Sequence, residues 1–213
     1  MNTHDLIATL AAEASTTQPA SGMRRYTQAI AVGIGVSMTL LFTLWGLNPE
    51  LNNLAHTQAF WVKLLWLVLT CTFAAPVVLH LSRPGVAAGP GVWGIAASLA
   101  GMAVLATWQV SQVDADTGMQ LMLGESWQTC SANIVALSVP LLAALLWMLR
   151  GMAPTRPALA GASAGLMAGG LACLVYSLHC PETAYAFLAV WYVAGMAVMA
   201  GIGALLSLRL LRW

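Results

Sequence analysis

Six long apolar runs dominate the chain, and short polar segments separate them. They occupy residues 26–47, 60–81, 92–110, 131–149, 157–178 and 181–208. Each run is close to the roughly 20 residues that a helix needs to cross a hydrocarbon core about 30 Å thick. No run alternates apolar and polar residues, and backbone polar groups in lipid must be satisfied within the protein. The pattern predicts an all-α, polytopic membrane protein with six transmembrane helices.

The composition agrees with this pattern and excludes several functions. The chain is 60% hydrophobic and 7% charged, whereas soluble domains typically carry about a quarter charged residues. No basic patch is present that would bind nucleic acid directly. The motifs Gly-x-Ser-x-Gly, His-Glu-x-x-His and Cys-x-x-Cys are absent from the sequence, so we do not expect an enzyme.

The N-terminal tail, residues 1–25, is a polar segment that precedes the first apolar run. Thr3 is a candidate helix cap, and Leu6, Ile7 and Leu10 recur after it at helical spacing. The helix is expected to end near residue 15, and residues 16–22 read as a linker. Because an isolated helix this short is marginal in water, we expect it to become ordered when its apolar face meets a partner. We therefore divide the chain into a tail, 1–25, and a membrane domain, 26–213.

The charged residues predict an orientation with both termini in the cytoplasm. With the N-terminus inside, seven of the eight basic residues lie on the inner side: Arg24, Arg25, Arg83, Arg150, Arg156, Arg209 and Arg212. The outer segments instead carry Glu50, Asp114, Asp116, Glu125 and Glu182. This is the usual positive-inside bias. The remaining basic residue, Lys63, lies just inside the second span, and we expect it to snorkel to the outer interface.

Two cysteines at the starts of the fourth and sixth spans form the candidate chemical site. Cys130 precedes one span, and Cys180 precedes Pro181, a residue suited to the first position of a helix. Both would lie on the outer face at helix N-termini, which favour the thiolate. Such a pair can ligate a soft metal (Cu, Cd or Zn) or close reversibly to a disulfide. A constitutive structural disulfide and two inert thiols remain alternatives.

His179 and Glu182 flank this site and are candidates for further ligands or for tuning the thiols. A plainer interpretation is that Glu182 favours a helix N-terminus and that His179 sits in the membrane interface. No constitutive cofactor is expected.

Two further features of the spans read as packing. Cys71 and Cys173 lie inside spans two and five, where a free cysteine behaves as a small apolar residue. Gly161, Gly165 and Gly169 form a stripe of small residues in span five. This spacing lets two helix backbones approach closely, and we expect it to pack within the bundle and not across a dimer.

Several short motifs along the whole chain resemble the NrsF-type anti-sigma factors, negative regulators of SigF. They are Thr3-His4-Asp5-Leu6-Ile7 with Leu10-Ala11 and Arg24-Arg25, Phe60-Trp61-x-Lys63-Leu64, Trp127-x-x-Cys130, Pro154-Thr155-Arg156-Pro157, Leu178-His179-Cys180-Pro181-Glu182, Trp191-Tyr192 and Arg209-Leu210-Leu211-Arg212-Trp213.

This resemblance implies a protein of the bacterial inner membrane that holds an extracytoplasmic-function (ECF) sigma factor inactive in the cytoplasm. The sigma contact would lie in the tail, with Asp5, Leu6, Ile7 and Leu10 as the candidate residues. Cys130 and Cys180 would be the metal or redox sensor for heavy-metal, including copper, or oxidative stress. The alternative function is a small metal transporter with a thiol uptake site, but the scarcity of polar residues within the spans argues against it.

Overall fold

The computed structural model describes residues 2–14 and 20–211, and across those residues the secondary structure is helical, with no strand. The helices are α1 (Thr3–Ala14), α2 (Ala20–Leu44), α3 (Leu51–Ala55), α4 (Gln58–Leu81), α5 (Gly91–Ser111), α6 (Ala115–Leu123), α7 (Trp127–Arg150), α8 (Pro157–Tyr176) and α9 (Tyr185–Leu210), the last with a π-helical turn at Leu188–Tyr192. Six helical segments of the described chain are long and apolar enough to cross a membrane. The predicted helical class and the predicted number of spans are confirmed.

Several helix starts differ from the sequence prediction, and three of them change its interpretation. Helix α1 begins at Thr3, and it is the carbonyl of Asn2 that accepts from the amides of the next turn, so Thr3 is not the cap. Helix α2 begins at Ala20 and already contains Arg24 and Arg25. Residues 15–19, most of the predicted linker, lie outside the described residues. Helix α9 begins at Tyr185 and not at position 181.

Helix α8 is the central element of the bundle because its small residues allow other helices to reach its backbone. A β-carbon at Gly161 would collide with the carbonyl of Gly203, and one at Gly165 would collide with that of Met199, both in α9. A β-carbon at Gly170 would lie 2.8 Å from the Cys71 sulfur of α4. The predicted glycine stripe therefore does pack within the bundle.

Apart from Lys63, the charged residues of the bundle separate between its two ends. One end, called here the thiol end, carries segments 45–57, 112–126 and 177–184 together with Glu50, Asp114, Asp116, Glu125 and Glu182. The opposite end, called the tail end, carries Arg24, Arg25, Arg83, Arg150, Arg156 and Arg209, while Arg212 lies outside the described residues. The orientation with both termini inside stays a prediction, and this separation is what the positive-inside rule expects of it.

The close contact between α8 and α9 predicts opposite effects for two identical substitutions. Gly165→Ala places a methyl group against the backbone of Met199 and Ala200, whereas Gly201→Ala meets nothing within 4 Å. Overpacking typically costs about 1–3 kcal/mol, and alanine is the better helix former. Thermal unfolding in detergent should therefore show a lowered midpoint for Gly165→Ala and an unchanged or raised one for Gly201→Ala. Equal midpoints would contradict this packing.

Candidate thiol site

Hydrogen bonds tie the three segments of the thiol end into one layer. The amide of Asn48 donates to the carbonyl of Leu178 at 3.1 Å. The amide of Glu125 donates to Oε1 of Glu182 at 2.8 Å. The segment 177–184, which carries Cys180, is therefore held from both sides.

Cys130 and Cys180 meet inside this layer. Cys130 lies in the first turn of α7, and its amide donates to the carbonyl of Ser126 at 2.9 Å. Cys180 follows the end of α8, and its amide donates to the carbonyl of Tyr176 at 2.9 Å. The Cys130 and Cys180 side chains lie beside each other and interact directly. Both cysteines are free, and their exposed fractions are 0% and 1%. The structure thus brings the two candidate thiols together, but inside the protein and not on its surface.

Only one of the two thiols lies at a helix N-terminus. Cys130 does, as predicted, whereas residues 181–184 after Cys180 are not helical. The carbonyls of Cys180 and Glu182 are engaged instead by the amine of Lys63, at 3.3 and 3.0 Å. These bonds hold the segment in an irregular conformation, so Pro181 does not begin a helix.

Glu182 has a different role from the one that its position in the sequence indicates. Its Oε1 accepts from the amide of Glu125 at 2.8 Å and from the hydroxyl of Ser126 at 3.4 Å, just before α7. Gly124 adopts a φ of +60°, and a β-carbon there would lie 2.8 Å from the same oxygen. Glu182 therefore holds the turn that leads into α7, the helix of Cys130, and does not serve a helix of its own.

His179 is also engaged away from the thiols. Its Nδ1 lies 3.1 Å from the carbonyl of Gly46, and its ring packs on Tyr176 with centroids 5.7 Å apart. Across the described part of the chain, no group of three or more His, Cys, Asp or Glu side chains is arranged to hold a metal ion. A metal at this site would therefore start from the two sulfurs of Cys130 and Cys180.

Lys63 does not snorkel to the interface, contrary to expectation. Its exposed fraction is 0%. Besides the two carbonyl bonds, its Nζ lies 5.0 Å from the centroid of the Tyr192 ring. The Tyr192 hydroxyl is itself buried beside the Cys180 sulfur and finds no conventional hydrogen-bond partner. The amine turns inward because carbonyls, a ring face and two thiols offer it partners there.

The surroundings of Cys180 favour its thiolate. The hydrogen bond from the Cys130 thiol lowers the pKa of Cys180, and the nearby charge of Lys63 and the Tyr192 hydroxyl act in the same direction, while burial opposes them. Cys180 is therefore the more nucleophilic sulfur of the pair.

A cavity of about 610 Å³ opens beside the segment of Cys180. Its walls include Gln120, Glu125, Trp127, Pro181 and Glu182. The cavity reaches Pro181, the residue next to Cys180.

Comparison with known proteins identifies the family of the chain. The family model described as "Negative regulator of sigma F" matches residues 10–213. The chain belongs to the NrsF family. It is 37% identical over 215 residues to the probable anti-sigma-F factor NrsF of Azospira oryzae and 41% identical over 218 residues to the anti-sigma-F factor NrsF of Caulobacter vibrioides, with 100% of both chains covered in each case. No solved structure matches the chain.

In this NrsF-family chain, the candidate sigma-binding residues lie on α1, remote in sequence from the thiols. Leu6 and Ile7 expose 41% and 59% of their surface, and Asp5 is exposed as well. The side chain of Leu10 lies outside the described residues. These exposed apolar side chains are the surface that a partner would cover.

Lys63 is the residue that sequence reasoning placed wrongly. It is the only lysine of the NrsF-family chain and lies within an apolar run. Ionisable residues inside spans usually face the bundle and take part in function. The position of Lys63 within a span was therefore the signal that its side chain faces the protein interior. Cys71 and Cys173, in contrast, are buried in the core as the sequence indicated.

The hydrogen bond between the thiols predicts how Cys180 responds when Cys130 is changed. Cys130→Ala removes the donor, so the pKa of Cys180 should rise, whereas Cys130→Ser keeps a hydroxyl donor. Alkylation of Cys180 by iodoacetamide at pH 7, followed by peptide mass spectrometry, should be several-fold slower in the alanine variant than in the serine variant. Equal rates in the two variants would show that the bond does not activate Cys180.

Proposed function

We propose that this chain is an inner-membrane anti-sigma factor that sequesters an ECF, SigF-like sigma factor through α1 in the cytoplasm. It releases the sigma factor when Cys130 and Cys180 react with a heavy metal or an oxidant on the periplasmic side. The observation that carries the proposal is the match to the NrsF family over essentially the whole chain, with the two thiols in contact. The first relates the chain to anti-sigma factors, and the second supplies a chemical trigger.

The shape of the tail end supports α1 as the binding element. The segments between α4 and α5 and between α7 and α8 are short, so neither is large enough to form a binding domain. Helix α1 lies a few residues before α2 and presents the apolar side chains of Leu6 and Ile7. A short amphipathic helix of this kind can place its apolar face in a groove on a partner.

Helix α7 offers a physical connection between the thiols and the tail. Cys130 lies in its first turn, and Gly151 follows its last residue at the tail end. The backbone of Gly151 lies against the guanidinium of Arg25 in α2. Midway along, the hydroxyl of Ser37 donates to the carbonyl of Leu137 at 2.7 Å. A shift of α7 would therefore reach α2, to which the tail is attached, and a tenfold release requires only about 1.4 kcal/mol of differential binding.

The contact between the sulfurs supports either trigger chemistry. An oxidant would remove two electrons and two protons from the pair and join the sulfurs at about 2 Å. A soft metal would bind between two thiolates, with further ligands recruited from outside the pair, since His179 and Glu182 are engaged elsewhere. Either event replaces the hydrogen bond between the thiols and changes the spacing between α7 and segment 177–184.

The proposed sigma contact predicts that a charge on one side of α1 abolishes binding. Ile7→Asp places a carboxylate on the apolar face, whereas Ala8→Asp places it on the opposite side, because residue 8 lies about half a turn from both Leu6 and Leu10. Co-purification of the full chain with the sigma factor from the same genome should lose most of the partner with Ile7→Asp and retain it with Ala8→Asp. If both variants retain the sigma factor, α1 is not the contact.

The proposed trigger predicts a separation between binding and release. A Cys130→Ser, Cys180→Ser protein should still hold the sigma factor, but it should fail to release it when cells meet cadmium, copper or peroxide. The Cys71→Ser, Cys173→Ser protein changes the same number of thiols and should release normally if it folds. Expression of a sigma-dependent reporter measures both. Normal release by the first variant would exclude the pair as the sensor.

A further inference from the structure

Lys63 is a buried amine with an unusual set of partners. Its side chain is fully buried, and across the described residues no carboxylate lies within ion-pair distance of it. The nearest candidate, Glu182, directs its carboxylate to Glu125 and Ser126 instead. Burying an amine is costly unless its donors are satisfied. The contacts of Lys63 therefore offset the cost of burying it.

Those contacts connect three parts of the thiol end. Lys63 belongs to α4, and its two hydrogen bonds go to the carbonyls of residues 180 and 182, on either side of Pro181. Its amine also faces the ring of Tyr192 in α9 at 5.0 Å. Two bonds to one short segment fix both the position and the direction of that segment. One of the two residues so fixed carries the sulfur that meets Cys130.

We propose that Lys63 is a positioning residue for the thiol pair: by holding the carbonyls of Cys180 and Glu182, its amine keeps the Cys180 sulfur against Cys130 and links the state of the pair to α4 and α9. The inference rests on the proposed function only in taking the pair as the reactive site.

The same contacts allow Lys63 to pass a change at the thiol pair on to α4 and α9. A disulfide needs the two sulfurs at about 2 Å, closer than hydrogen-bonded sulfurs lie. Closing the pair therefore moves Cys180, and its carbonyl moves with it relative to Lys63. Because the amine keeps both carbonyls as acceptors while the segment moves, α4 and α9 adjust together with the pair.

Equilibrium with glutathione tests the positioning. In the full chain in lipid nanodiscs, oxidised glutathione converts the two thiols to a disulfide and yields two molecules of reduced glutathione, so electrons and protons balance. The variants are Lys63→Met, which removes the donors, and Lys63→Gln, which keeps two of them. Thr70→Val is the matched control: Thr70 is buried on the same helix and bonds to Trp66 and Ser98 at 2.8 and 2.7 Å, away from the pair.

At a pH low enough to keep both thiols protonated, where the charge of Lys63 no longer favours the reduced pair, we expect the equilibrium constant for the disulfide to fall at least tenfold in Lys63→Met, because the thiols lose their preset proximity. Lys63→Gln should recover part of this loss, and Thr70→Val should match the wild type. An unchanged or increased constant in a folded Lys63→Met protein would overturn the proposal, as would an equal fall in Thr70→Val.

The wild-type protein provides a second test, independent of any substitution at Lys63. Since Lys63 is the only lysine in the chain, labelling lysine with ¹³C and ¹⁵N gives one set of side-chain NMR signals. These signals should shift when glutathione closes the pair and should not shift in the Cys130→Ser, Cys180→Ser protein. Signals that stay unchanged on closure would refute the proposal even if the methionine variant fails to fold. Release of the sigma factor is measured separately, so the proposed function can stand if this inference fails.

Discussion

The close approach of α8 and α9 is the constraint on which the thiol site depends. Gly161 and Gly165 allow the backbones of the two helices to touch, and this contact fixes where α8 ends and where α9 begins. The short segment between them then has little freedom, and it carries Cys180 back into the bundle toward Cys130. In lipid, helix association relies on such packing because water supplies no hydrophobic drive between helices.

The cost of burying polar groups at the thiol end is offset by the hydrogen bonds that these groups make with their neighbours. Two thiols and an amine are removed from water, which would be costly for each alone. Here the thiol of Cys130 donates to Cys180, the amine of Lys63 donates to two carbonyls, and Glu182 accepts from the start of α7. Each partner thus depends on the position of segment 177–184. A chemical change at one sulfur disturbs several of these contacts together, which suits a switch better than an isolated surface thiol would.

The sequence was sufficient for the features that depend on run length and residue spacing. Six spans and the packing of the Gly161, Gly165 and Gly169 stripe follow from composition and from helical periodicity. The sequence was insufficient where contacts with residues distant in the chain determine a conformation or the direction of a side chain. Pro181 suits a helix start, yet Lys63 takes the carbonyls of that segment. Lys63 itself, near the end of a span, could turn to the interface or inward, and only the packing of α4, α8 and α9 determines the direction. Nothing local in the sequence indicates that Glu182 reaches α7.

The depth of the thiols bears on which signals can reach them. With exposed fractions of 0% and 1%, neither sulfur is accessible to a bulky reagent, while the neighbouring cavity is lined by Pro181 and Glu182. A folded protein partner therefore cannot contact either sulfur in this conformation. Glu182 lines this cavity, and its carboxylate already accepts from the amide of Glu125, just before α7. If that carboxylate turned to an incoming cation, the start of the helix that carries Cys130 would lose this contact. Glu182 would then connect the arrival of the cation with a movement of α7.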